Sequence, residues 1–68
     1  MARYSQPEPS EIILEFVGMG AVMRVSAMDP SSLTEVVVQG PIGADQNHLA
    51  DLARQKLMFV LAKKQGRR

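Results

Sequence analysis

The sequence predicts an α+β domain: a three-stranded antiparallel β-meander followed by one C-terminal α-helix (βββα). Three observations carry that reading. Apolar residues alternate with period two in three successive stretches between Glu11 and Gly40. Short breaks rich in glycine, proline and serine separate the stretches. From Asp45 onward the apolar period lengthens to that of a helix and holds to Lys64.

The first stretch places Ile12, Leu14 and Phe16 on one face and Ile13, Glu15 and Val17 on the other. The second, residues 21–28, sets Met23, Val25 and Ala27 against Val22, Arg24 and Ser26. "DPSSL", residues 29–33, is a loop, because serines hydrogen-bond locally in turns and Pro30 follows Asp29. The third strand, "TEVVVQG" at 34–40, opposes Val36 and Val38 to Glu35, Val37 and Gln39, and Gly40-Pro41 closes it. Asp45 is the expected helix N-cap, since its carboxylate can accept a backbone N–H of the first turn. The helix carries Leu49, Leu52, Ala53, Leu57, Val60 and Leu61 as one broad stripe. Lys63 and Lys64 suit the negative end of its dipole, and Gly66 suits a stop. The chain thus divides into an N-terminal arm (1–10), one domain (11–64) and a basic tail (65–68).

"GMG", residues 18–20, invites comparison with a phosphate-cradling glycine loop. Such a loop needs a third glycine and a following helix. Met23 stands at the third position, and an alternating strand follows. The segment therefore reads as a hairpin bend. A turn centred between Met19 and Gly20 would pair Phe16 with Met23, Leu14 with Val25 and Ile12 with Ala27, and set Glu15 opposite Arg24.

With 68 residues the chain is one small domain. Chains of this size bury only about 60% of their unfolded surface and usually need a staple. There is no cysteine for a disulfide, and a single histidine, His48, does not make an ordinary zinc site. Association is the staple that remains. The 46% hydrophobic content is that of a globular protein. No run approaches the roughly 20 apolar residues of a membrane span. The first ten residues lack the apolar core of a secretory signal, so a cytoplasmic setting without a membrane partner is expected.

No catalytic constellation stands out. His48 reads as a polar residue of the first helical turn, the serines carry no nucleophile signature, and Glu11 and Glu15 read as solvated strand charges. The expectation is a protein that is not an enzyme and holds no cofactor. Charge is divided along the chain: residues up to Ala53 carry two basic and seven acidic side chains, and those from Arg54 onward six basic and none acidic. Lys63, Lys64, Arg67 and Arg68 are the candidate phosphate contacts of a weak nucleic-acid binder. Against that, aromatic platforms are few: Tyr4, Phe16 and Phe59.

Two apolar surpluses point to self-association instead. Ile13, Val17, Val22 and Val37 lie on the strand face opposite the expected core, and the helix stripe, with Leu57, Met58, Phe59 and Leu61, is wider than one sheet requires. These eight are the candidate interface of a homodimer. "GPIGA", residues 40–44, is a candidate hinge through which two copies can exchange helices. The leading function is therefore a small interaction module acting as a homodimer, with a protein partner the sequence does not name; the alternative is nucleic-acid binding through the basic tail.

"AMDP" at 27–30, "TEVVVQGP" at 34–41 and "LARQKLMFVLAKK" at 52–64, in this order of elements, resemble a family of small uncharacterised proteins from alphaproteobacteria, catalogued as a domain of unknown function. The resemblance covers about residues 11–64. It implies a bacterial cytoplasmic protein and assigns no catalytic or binding residue.

Overall fold

The computed structural model describes residues 11–66. Three strands, β1 (Ile13–Met19), β2 (Val22–Asp29) and β3 (Thr34–Pro41), precede one helix, α1 (Gln46–Gly66). The sheet is antiparallel with order β1-β2-β3, which is the expected βββα meander. The arm before Glu11 and the tail residues Arg67 and Arg68 lie outside the described residues.

Alternation sorts the strands as expected. Met23, Val25 and Ala27 of β2 and Val36 of β3 turn to the helix and are buried with Ile12. From the helix come Leu49, Ala53, Leu57 and Leu61, of which Leu57 and Ala53 are completely enclosed. Burying an aliphatic side chain of this size stabilises a fold by about 1.5–3 kcal/mol, so this layer is the main source of stability.

The helix starts where the sequence indicates. Asp45 Oδ1 accepts the Asn47 N–H at 2.9 Å, and the Asp45 carbonyl accepts the Leu49 N–H at 3.1 Å. Its axis lies over β2 and β3. Lys56 Nζ donates to the Val37 carbonyl at 3.3 Å and Lys64 Nζ to Thr34 Oγ1 at 2.9 Å, which fixes this flank to β3. Two expected core residues are displaced as a result. Phe16 points toward the helix side of the sheet, but β1 is the strand farthest from α1, and the ring is 41% exposed. Leu52 lies about 140° around the helix from Leu57, beyond the buried stripe, and is also exposed.

The first hairpin is shifted from the expected register. Leu14 pairs with Ala27, Phe16 with Val25 and Gly18 with Met23, so each partner lies two residues further along β2. The loop is Gly20-Ala21 alone. Gly20 adopts φ 61°, while Ala21 does not enter the left-handed region. Glycine at the first of two loop positions is the pattern of a type II′ hairpin. Gly18 belongs to β1 and supplies no turn. A shift of two preserves every face, which is why the core composition survives it.

The second hairpin is held by a buried carboxylate. Asp29, 1% exposed, accepts the Ser31 N–H at 3.2 Å, the Ser31 hydroxyl at 3.1 Å and the Ser32 hydroxyl at 2.8 Å. Leu33 closes this loop at φ 59°, with its N–H on the Asp29 carbonyl at 2.8 Å. The following linker is also pinned. The Ile42 N–H donates to the Ala21 carbonyl at 2.8 Å, and the Ala44 N–H to the Pro41 carbonyl at 2.9 Å.

Candidate interaction face

Because α1 covers one side of the sheet, the other side has no layer on it among the described residues. The register arranges that side as a grid. Glu15, Ser26 and Val37 form one row across the three strands, and Val17, Arg24 and Gln39 form the next. Ile13, Met28 and Glu35 flank the first row; Met19, Val22 and Pro41 flank the second. Ile13, Val17 and Met19 are between 42% and 52% exposed, and Val22, Met28 and Val37 are half-buried. This is a mixed surface, with apolar groups at Ile13 and Met28 and at Val17, Met19, Val22 and Pro41, Val37 between them, and three charges set into it.

Those charges do not neutralise one another within the chain. The Glu15–Arg24 cross-strand pair expected from the sequence does not form: Glu15 stands opposite Ser26, and Arg24 opposite Val17. Arg24 Nη1 turns instead to Met19 Sδ at 3.9 Å. Among the described residues the ion pair within 4 Å is Arg54–Asp51, on the helix, at 2.8 Å. Ser26 is small beside its neighbours. An open depression of about 150 Å³ forms over it, lined by Glu15, Val17, Arg24, Ser26, Glu35 and Val37. A second hollow, of about 260 Å³, is lined by Met19, Val22, Arg24 and Gln39. Arg24 therefore forms a ridge between two hollows.

Of the eight candidate interface residues, Ile13, Val17, Val22 and Val37 lie together on this open face. Leu57 and Leu61 do not join them; they are 0% and 2% exposed inside the protomer's own core, so they leave the candidate interface. Met58 is half-buried against that core. Phe59 is 63% exposed on the far side of the helix, with Lys63 Nζ 5.7 Å from its ring centroid. The sequence reading places Arg24 and Ser26 on this side without counting them as interface, and leaves Met19 and Met28 unassigned. The period-two pattern assigns Met19 and Met28 to the non-core side as well.

The candidate phosphate contacts are divided. Lys64 is engaged with Thr34, Lys63 lies over Phe59, and Arg67 and Arg68 fall outside the described residues. His48 is exposed on the first helical turn. Among the described residues no group of three His, Cys, Asp or Glu side chains is placed to hold a metal ion. No helix among them is long and apolar enough to cross a membrane.

Compared with known proteins, the chain matches neither a curated protein nor a solved structure. A family model does match it, over residues 9–64, which is most of its length. The chain belongs to the family described as domain of unknown function DUF6898.

Proposed function

We propose that this protein is a small non-enzymatic interaction module that works as a homodimer through the open face of its sheet. One observation carries the reading: among the described residues, the sheet face opposite the helix carries exposed apolar side chains and has no layer on it. Two-layer folds are stable because each sheet face with apolar character meets another layer. In a chain this short, the missing layer is the natural source of additional burial. The four expected interface residues Ile13, Val17, Val22 and Val37 all lie on this face, Val17 diagonal to Val22 and the other two set apart by Glu15, Ser26 and Arg24. Helix exchange is not required for this mode, and the two backbone bonds that pin residues 42–44 oppose it.

Sedimentation equilibrium from low to high micromolar concentration tests the proposal. The expected result is a dimer whose melting temperature rises with protein concentration. The double variant Val22→Lys with Val37→Glu is expected to be monomeric. A monomer at several hundred micromolar, with a melt independent of concentration, overturns the reading.

A weaker, second reading rests on the exposed Phe59 ring with Lys63 over it, an aromatic platform beside a cation. With Arg67 and Arg68 these residues would contact the backbone of a nucleic acid. Such binding must weaken steeply with salt. Selective binding to a defined sequence at physiological salt would promote this reading over the dimer.

A further inference from the structure

The outer side of the central strand carries, in order, Val22, Arg24, Ser26 and Met28. Reversed and laid on itself, this column matches large apolar with large apolar and long cation with small hydroxyl. A two-fold axis running across the strands at the level of Val25 performs that reversal. A homodimer interface closed by such an axis must be self-complementary.

We propose that two copies stack face to face about this axis, with Arg24 of each seated in the depression over Ser26 of the other, beside the carboxylates of Glu15 and Glu35. The inference rests on the homodimer reading and specifies its geometry. The depression over Ser26 has two carboxylates on its rim against the one guanidinium of its own Arg24, a net negative lining, so the group that complements it is a cation. The cation available on the same face is Arg24, which makes no ion pair with either glutamate in its own chain among the described residues. Reversal also places Met28 over Val22, where the second hollow opens. Stacked sheets lie about 10 Å apart and cross at about 30°. The central column is near the axis, so it is displaced least by that angle. Lining side chains such as Ile13 and Met19 then meet each other at the periphery.

Charge reversal tests the seating. Arg24→Glu and Glu15→Arg are each expected to raise the dimer dissociation constant about tenfold or more, and the combined variant to return it to within a few-fold of the wild type. Ser26→Leu fills the depression from below and is expected to weaken association as well. Circular dichroism melts at low concentration establish that each variant folds. Arg24→Gln, which deletes the charge without adding repulsion, is the variant to use if a reversal does not fold. A wild-type dimer indifferent to Arg24→Glu, Arg24→Gln and Glu15→Arg overturns this inference and leaves the dimer, placing its interface elsewhere, as on the free edge of β1. Single variants that weaken the dimer without rescue in combination also overturn the cross-protomer pair. A monomeric wild type overturns the homodimer reading itself.

Discussion

Leu49 fills the space directly over Gly40: a methyl group built on Gly40 would lie 2.8 Å from Leu49 Cδ2 and 3.3 Å from Cδ1. Leu49 is 4% exposed, so it cannot swing into solvent to make room. The glycine is needed here for close approach of the helix to β3, not for an unusual backbone angle. Gly40→Ala is expected to destabilise the fold by about 1–3 kcal/mol through overpacking. Adding Leu49→Val, which shortens the opposing side chain, should recover part of the loss in urea denaturation. A neutral Gly40→Ala would show that the first helical turn is not seated on β3.

The helix provides a paired test of which face is buried. Leu57→Ala is expected to cost about 2–5 kcal/mol, the range for truncating an enclosed leucine. Phe59→Ala, at a ring 63% exposed, should fall within about 0.5 kcal/mol of wild type. Equal losses at both positions would mean that the helix is rotated.

Leu33 offers a stabilising change. It holds a left-handed φ of 59° while 73% exposed, so the strain is not offset by burial. That conformation costs an ordinary residue roughly 1–2 kcal/mol, and glycine's extra unfolded-state freedom returns about 0.5–1. Leu33→Gly is therefore expected to raise stability by about 0.5–1 kcal/mol, read as a higher urea midpoint with unchanged slope. A lower midpoint would assign Leu33 a packing role that its exposure argues against.

Asp29 should behave in the opposite way. Its buried carboxylate organises Ser31 and Ser32, and hydrogen bonds to a charged acceptor are worth about 1.5–3 kcal/mol. Asp29→Ala is expected to lose at least that much, whereas Ser32→Ala, which removes one donor, should lose about 1 kcal/mol. Thermal melts at low protein concentration would separate these effects from association. If Asp29→Ala melts with the wild type, the loop does not depend on the carboxylate.

The strand faces were readable because alternation acts residue by residue: Val25 inward and Arg24 outward need no knowledge of a partner. The Asp45 cap was equally local. Register was not, since sliding β1 against β2 by two residues leaves every face intact. The two pairings differ in whether Gly20 is the second or the first of the two loop residues, and a glycine there serves either turn. Phe16 and Leu52 were misplaced for another reason. Their burial depends on where the helix crosses the sheet, a tertiary property that a helical stripe extending to Leu52 does not determine. Asp29 next to Pro30 signals a turn, but its enclosure depends on two serine hydroxyls folding back. The open face was legible in its apolar members, while the relation between Arg24 and the hollow at Ser26 required the register.

Among the described residues, the two outer strands of the sheet are not alike. β3 ends in Pro41, has Lys56 on the Val37 carbonyl and is roofed by the helix. β1, with the sequence ILEFVGM, has neither proline nor lysine and carries a single charge, Glu15. Unpaired strand edges recruit other chains, and lysine or proline on an edge is what commonly prevents it. Fibril growth by this protein should therefore be polar, beginning at β1 and blocked at β3. Glu15 is the charge within β1 that opposes it, so its removal should shorten the lag before aggregation even if the folded state is as stable as before.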